Sequence, residues 1–182
     1  MFDRSLRRVE IGDLAIEELA PLGAIALRGR TDDRAAMDAF AAELGEALPE
    51  PGTAWSRSET VALWMMPDQW LLILPRHRAT DYSQRLRSAT AGVHAAAVDV
   101  SDALCCFALS GDKSEEVLGA GSAVAVSAEG LRADRCLRTS LALVDVTLIP
   151  VASPRKILLV TDRPSGPYLW EWLVDTAQGV AS

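Results

Sequence analysis

The acidic run Asp99-Val100-Ser101-Asp102 is the cluster whose residue types could do the most chemistry. Two carboxylates beside a hydroxyl at a strand junction can orient a ligand amine or share a proton. The same side chains also bond their own turn backbone, which gives the run a purely structural reading. Cys136 stands between Arg135 and Arg138, charges that could favour a reactive thiolate, but no neighbouring base accompanies it. Cys105 and Cys106 fall on opposite faces of one strand and read as small core residues. The two histidines, His77 and His94, sit in separate connections with no nucleophile pattern nearby.

Metal and nucleotide chemistry lack their motifs. Three cysteines, two of them adjacent, make neither a disulfide framework nor a metal-ligand spacing, so no metal site is expected. There is no Gly-x-Gly-x-x-Gly turn, no phosphate-binding loop ending in Lys-Ser or Lys-Thr, and no Gly-x-Ser-x-Gly elbow. Gly119-Ala120-Gly121 follows a helical segment and reads as its stop.

Composition narrows the classes further. The 182 residues are 49% apolar and 24% charged, enough for a packed core, with a formal charge of -7. That balance offers no basic stripe for nucleic acid and disfavours docking on an anionic membrane. No apolar stretch approaches a spanning length, and the charged N-terminus lacks a signal-like core, so a cytoplasmic location is expected.

The elements that must position these residues follow from periodicity. Residues 1–21 are charged and weakly periodic and read as an arm. The rest, 22–178, reads as one α+β domain in two halves, about 22–101 and 102–178. A strand at 22–29 precedes Thr31 as a helix N-cap. Met37, Phe40, Ala41, Leu44 and Leu48 then recur at helical spacing. Apolar runs at 60–66 and 69–74 flank Pro67-Asp68 as a hairpin. A helix at 80–90, strands at 97–101 and 103–109, a short helix at 111–118, long strands at 139–149 and 156–161, and a helix at 165–178 complete the order. This predicts duplicated split-βαβ, ferredoxin-like halves with mainly antiparallel sheets and covering helices, the second half lacking its last strand.

In the last helix Leu169, Trp172, Leu173 and Thr176 make one stripe and Trp170, Leu173, Val174 and Ala177 another. Together they span roughly 200° of arc, wider than a helix lying on one sheet needs. Either the helix is sandwiched within the chain, or Trp170, Val174 and Ala177 meet another protein.

As a set, several motifs resemble the gamma subunit of heterotetrameric sarcosine oxidase. They are Leu63-Trp64 with Pro67-Asp68 and Trp70-Leu71-Leu72, Val98 to Asp102, Leu109-Ser110-Gly111, Cys136-Leu137-Arg138-Thr139, and Tyr168 to Leu173. The resemblance implies a fold similar to the folate-binding domain of the glycine-cleavage aminomethyltransferase, and a structural, non-catalytic chain. Alpha and beta subunits would carry FAD, FMN and NAD, a delta subunit zinc, and this chain no redox cofactor of its own. The assembly would oxidise sarcosine to glycine, giving hydrogen peroxide and formaldehyde or 5,10-methylenetetrahydrofolate. A tetrahydrofolate pocket with Asp99 or Asp102 facing the ligand is the alternative for this chain, as is the matching subunit of another N-methyl amino acid dehydrogenase. Self-association of the isolated chain stays open.

Overall fold

A computed structural model describes residues 5–126, 132, 134–151 and 156–181. In chain order the elements are β1 (Ser5–Ile11), β2 (Leu14–Leu19), β3 (Gly23–Gly29), α1 (Arg34–Leu44), β4 (Ala54–Arg57), β5 (Thr60–Met66) and β6 (Gln69–Leu74). Then come α2 (Ala79–Ala89), β7 (Ala95–Asp99), β8 (Leu104–Ser110), α3 (Ser114–Gly119), β9 (Leu137–Leu141), β10 (Val144–Val151), β11 (Lys156–Asp162) and α4 (Gly166–Ala181). The fold is α+β with two antiparallel sheets. The chain divides into two compact units: Leu22–Ser101 form the first, and β1 and β2 join the residues from Asp102 onward in the second.

The first unit has strand order β4-β5-β6-β3-β7, all pairs antiparallel. Its β3-α1-β5-β6-α2-β7 succession is a complete split βαβ unit with β4 added at one edge. Ile25 and Leu27 of β3 and Trp70, Leu72 and Leu74 of β6 alternate onto one face. There they pack with Phe40 of α1 and Tyr82 and Leu86 of α2. Helix α1 begins at Asp33, not at the expected Thr31: the Asp33 carboxylate accepts from the Ala36 N–H at 3.1 Å. Thr31 is instead held by Asp68, whose carboxylate accepts from the Thr31 N–H at 2.8 Å and hydroxyl at 3.0 Å. The helix stops at Gly45, which takes the left-handed conformation at φ 72°, so Leu48 lies beyond it.

The second unit has strand order β1-β2-β8-β11-β10-β9, again antiparallel throughout. Here β8-α3-β10-β11-α4 supplies three strands and two helices of a split βαβ unit, and β2 takes the place of the fourth strand beside β8. The expected arm is therefore a strand hairpin of the sheet. It shows no clean alternation because neither face of β2 is exposed. Leu14 and Ile16 enter the core of Phe107, Leu109, Leu159 and Leu169. Ala15 and Glu17, which point the other way, are buried as well. Glu17 is tolerated there because Lys156 Nζ lies 3.1 Å from its carboxylate.

Two further expectations change. The single long strand over 139–149 is two strands, β9 and β10, joined by Ala142 and Leu143. Both residues have positive φ, 52° and 69°, as a two-residue hairpin of type I′ requires. Gly119-Ala120-Gly121 is not a left-handed helix cap, for α3 ends at Ala120 with φ -64°. Gly121 serves close approach instead, since a Cβ there would lie 2.7 Å from Trp172 Cη2.

The strand role of β2 is open to direct measurement. Ile16→Ala removes a fully buried side chain and should lower the unfolding free energy by about 2–4 kcal/mol in urea titration. Leu6→Ala in the exposed part of β1 should change it by less than about 0.5 kcal/mol. Equal, small effects would mean that the hairpin is not part of the folded sheet.

Candidate functional site

The acidic junction is built by backbone demand. β7 pairs with β3 as far as Ile25 opposite Asp99, and the Val100 N–H donates to the Ala24 carbonyl at 2.8 Å. The pairing is then continued by a side chain: buried Ser101 Oγ accepts from the Ala24 N–H at 2.9 Å. Asp99 holds that hydroxyl, accepting from Ser101 Oγ at 2.5 Å and from the Ser101 N–H at 3.0 Å. Partial desolvation of the exposed Asp99 carboxyl opposes its ionisation. The Ser101 hydroxyl and N–H, the charge of Arg76 and a bond from Thr80 outweigh that, and hold it below the usual carboxylate range.

Asp102 opens the second unit in a short 3-10 turn, Ser101–Ala103, and is exposed. Its carbonyl accepts from Arg163 Nε at 2.7 Å, and the Leu104 carbonyl accepts from Arg163 Nη2 at 2.9 Å. Arg163 thus pins the start of β8. Asp99 and Ser101 act as a backbone clamp, and both carboxylate residues of the run, Asp99 and Asp102, are exposed.

The remaining candidates separate. Cys105 is half-buried against Gly166, and burial outweighs the nearby Arg163 to push its thiol up to about 11. Burial pushes Cys106 up as well. Cys136 is buried, which a reactive thiolate favoured by Arg135 and Arg138 would not be. His77 is exposed in the 3-10 turn before α2. His94 lines a surface cleft of about 380 Å³ in the first unit with Arg28, Arg30, Asp68 and Gln69. There Arg30 is occupied by Asp32 at 2.5 Å and Asp68 by Thr31. Among the described residues no group of three or more His, Cys, Asp or Glu side chains is placed to hold a metal ion.

Trp170, Val174 and Ala177 do not form an accessible face of α4. Ala177 is fully buried and Trp170 is 8% exposed; both belong to the second unit's core, against which Val174 packs. The reason is the N-terminal hairpin. With β1 and β2 in the sheet, the surface that α4 packs on is widened beyond β8, and the Arg7 guanidinium lies 4.0 Å over the Trp170 ring. Phe107 meets the same ring from β8 with centroids 6.1 Å apart. The wide apolar arc is thus used inside the chain.

Comparison with known proteins places this arrangement. The family model for the gamma subunit of sarcosine oxidase matches residues 28–179. The chain belongs to the sarcosine oxidase gamma subunit family. Its fold is similar to that of a chain in the heterotetrameric sarcosine oxidase from Corynebacterium sp. U-96, solved in complex with pyrrole 2-carboxylate. The TM-score is 0.85 at 21% identity, over 96% of this chain and 88% of that one. It is also similar to the glycine cleavage system aminomethyltransferase T from Bartonella henselae, with TM-score 0.65 at 13% identity over 87% of this chain. That match spans 45% of the aminomethyltransferase chain. No curated protein matches. For this gamma-family chain the sequence located the acidic run but missed Arg163, whose hold on two carbonyls leaves no periodic signal.

Because Asp99 has a lower folded-state than unfolded-state pKa, its ionised form stabilises the fold. That contribution is complete above about pH 4 and is lost as pH falls through the lowered folded value. Asp99→Asn should therefore reduce unfolding free energy at neutral pH, with the difference from wild type closing below about pH 4. A difference independent of pH would show that the clamp does not use the charge.

Proposed function

We infer that this chain is the gamma subunit of a heterotetrameric sarcosine oxidase, contributing structure to the assembly and no chemistry of its own. The match of residues 28–179 to the gamma-subunit family carries the reading. The use to which the reactive side chains are put supports it. Asp99 clamps Ser101, two thiols are pushed toward the neutral form, and the aromatic face of α4 is packed inward. In this reading the alpha, beta and delta subunits hold FAD, FMN, NAD and zinc. They oxidise sarcosine to glycine, with hydrogen peroxide and formaldehyde or 5,10-methylenetetrahydrofolate as the other products. The assembly works in the cytoplasm, in keeping with the lack, among the described residues, of any helix long and apolar enough to cross a membrane.

Co-expression with the other three subunits from the same source should give one co-eluting complex that turns over sarcosine, while the isolated chain gives none. Sarcosine turnover by the isolated chain, or its failure to enter the complex, would overturn the reading. Activity of the complex toward another N-methyl amino acid and not toward sarcosine would move it to the related dehydrogenases.

A folate-binding module is the second reading, favoured by the likeness in fold to aminomethyltransferase T and by the solvent-facing position of Asp102. Asp99 supports it less, since its carboxylate is engaged by Ser101. Titration calorimetry with tetrahydrofolate should give heat that Asp102→Asn abolishes if the pocket exists. No heat and no thermal shift at millimolar ligand would end it.

A further inference from the structure

The large apolar residues that the described structure leaves exposed are Leu6, Val98, Val124, Leu143 and Tyr168, and the last three border one path in the second unit. Leu143, at the tip of the β9–β10 hairpin, is 95% exposed; Tyr168 is 49% and Val124 45% exposed. Half-buried Trp172 links them. It follows Tyr168 by one turn on α4, and its ring packs on Gly121, itself within van der Waals reach of the Ala142 nitrogen. The Ala142 N–H donates to the Gly121 carbonyl at 3.0 Å and the Ala123 N–H to the Ser140 carbonyl at 3.3 Å. The segment 121–124 therefore runs beside the hairpin tip.

The turn gives this path its meaning. Positions with φ of 52° and 69° suit Asn and Gly, but Ala142 and Leu143 occupy them. Leu143 thus carries left-handed strain and sets a whole aliphatic side chain in water. Among the described residues no contact offsets either cost, and burial against a second surface would offset both. Exposed Glu171 and Asp175 flank Trp172 on α4, in a chain of net charge -7. A second copy would set acidic rim against acidic rim across a two-fold axis, so the complementary surface is apolar with a basic rim.

We propose that the β9–β10 tip, with Leu143 as anchor and Trp172, Tyr168 and Val124 beside it, docks into an apolar, Lys/Arg-rimmed socket on a large subunit of the assembly. This rests on the gamma-subunit reading and names the surface that reading requires. The docked tip buries the Leu143 side chain, and Glu171 and Asp175 meet the basic rim.

Leu143→Gly separates docking from folding, because it relaxes the turn while removing the anchor. The isolated variant should melt about 2–4 °C above wild type, yet bind the purified large subunits about tenfold or more weakly in surface-immobilised titration. Leu143→Asn should behave alike and serves if the glycine variant folds poorly. Glu171→Lys should weaken binding at low salt and lose that effect at high salt. Unchanged affinity of either folded Leu143 variant would overturn the proposal and leave the gamma-subunit reading standing, provided wild type binds. Failure of wild type to bind would remove the reading and the docking surface together. Sedimentation showing a wild-type dimer that Leu143→Gly dissolves would overturn the proposed occupant in favour of a second copy.

Discussion

The second unit depends on the pairing of β2 with β8. Ala15, Ile16, Glu17 and Glu18 face Ser110, Leu109, Ala108 and Phe107 in antiparallel register. Without β2 the split βαβ unit would end on β8 with a row of unpaired N–H and C=O groups, an edge open to unwanted partners. The pairing closes that edge and sends Leu14 and Ile16 under α4. It also sets Arg7 of the adjoining strand over Trp170. One ladder thus completes the sheet, the core and the cover of the last helix. Its two strands lie far apart in sequence, so this pairing carries a larger loop-closure cost than local hairpins such as β10–β11.

This arrangement explains what the sequence made legible. Element type was readable where one helix face met the core and the other met water, and where turn residues bounded an apolar run. Helix α1 showed itself through Met37, Phe40 and Ala41, and the β5–β6 hairpin through apolar runs on either side of Pro67-Asp68. The succession of elements then implied two split βαβ units, the second one strand short. The missing strand stayed hidden because Ala15 and Glu17 are buried on the face opposite Leu14 and Ile16, which erases alternation. The β9–β10 turn stayed hidden because neither Ala142 nor Leu143 belongs to the residues that announce a type I′ turn. At the site, the acidic run could be found from residue types alone. Its division of labour could not, because the bond from the Ala24 N–H to Ser101 joins positions far apart in the chain.

The junction shows how chemistry-bearing residues can be absorbed by architecture. Strand β7 ends at Asp99, yet the ladder continues one step through the Ser101 hydroxyl, which replaces a backbone acceptor for Ala24. A hydroxyl holds that position only if its own proton is directed elsewhere, and the Asp99 carboxylate directs it. The lowered Asp99 pKa is the electrostatic trace of that arrangement. Arg163 does the corresponding work for the carbonyls of Asp102 and Leu104 from the segment before α4.

Left-handed residues other than glycine sharpen the contrast with the hairpin tip. Among the described residues they are Ser58, Asp68, Ala142 and Leu143. Asp and Ser are short and polar and bond local backbone, which moderates the strain of this region. Asp68 does more, capping the Thr31 N–H and hydroxyl. Ala142 recovers something through its N–H bond to Gly121. Leu143 has neither a polar side chain nor cover, so at this residue local propensity and global fold disagree. Such disagreement is expected where a sequence answers to something besides its own folding. The acidic junction differs in kind, for it holds no residue of positive φ and the bonds of Asp99 and Ser101 are made within their own unit. The physical case for a partner therefore rests on the β9–β10 turn and not on the carboxylates and thiols that residue type alone would single out.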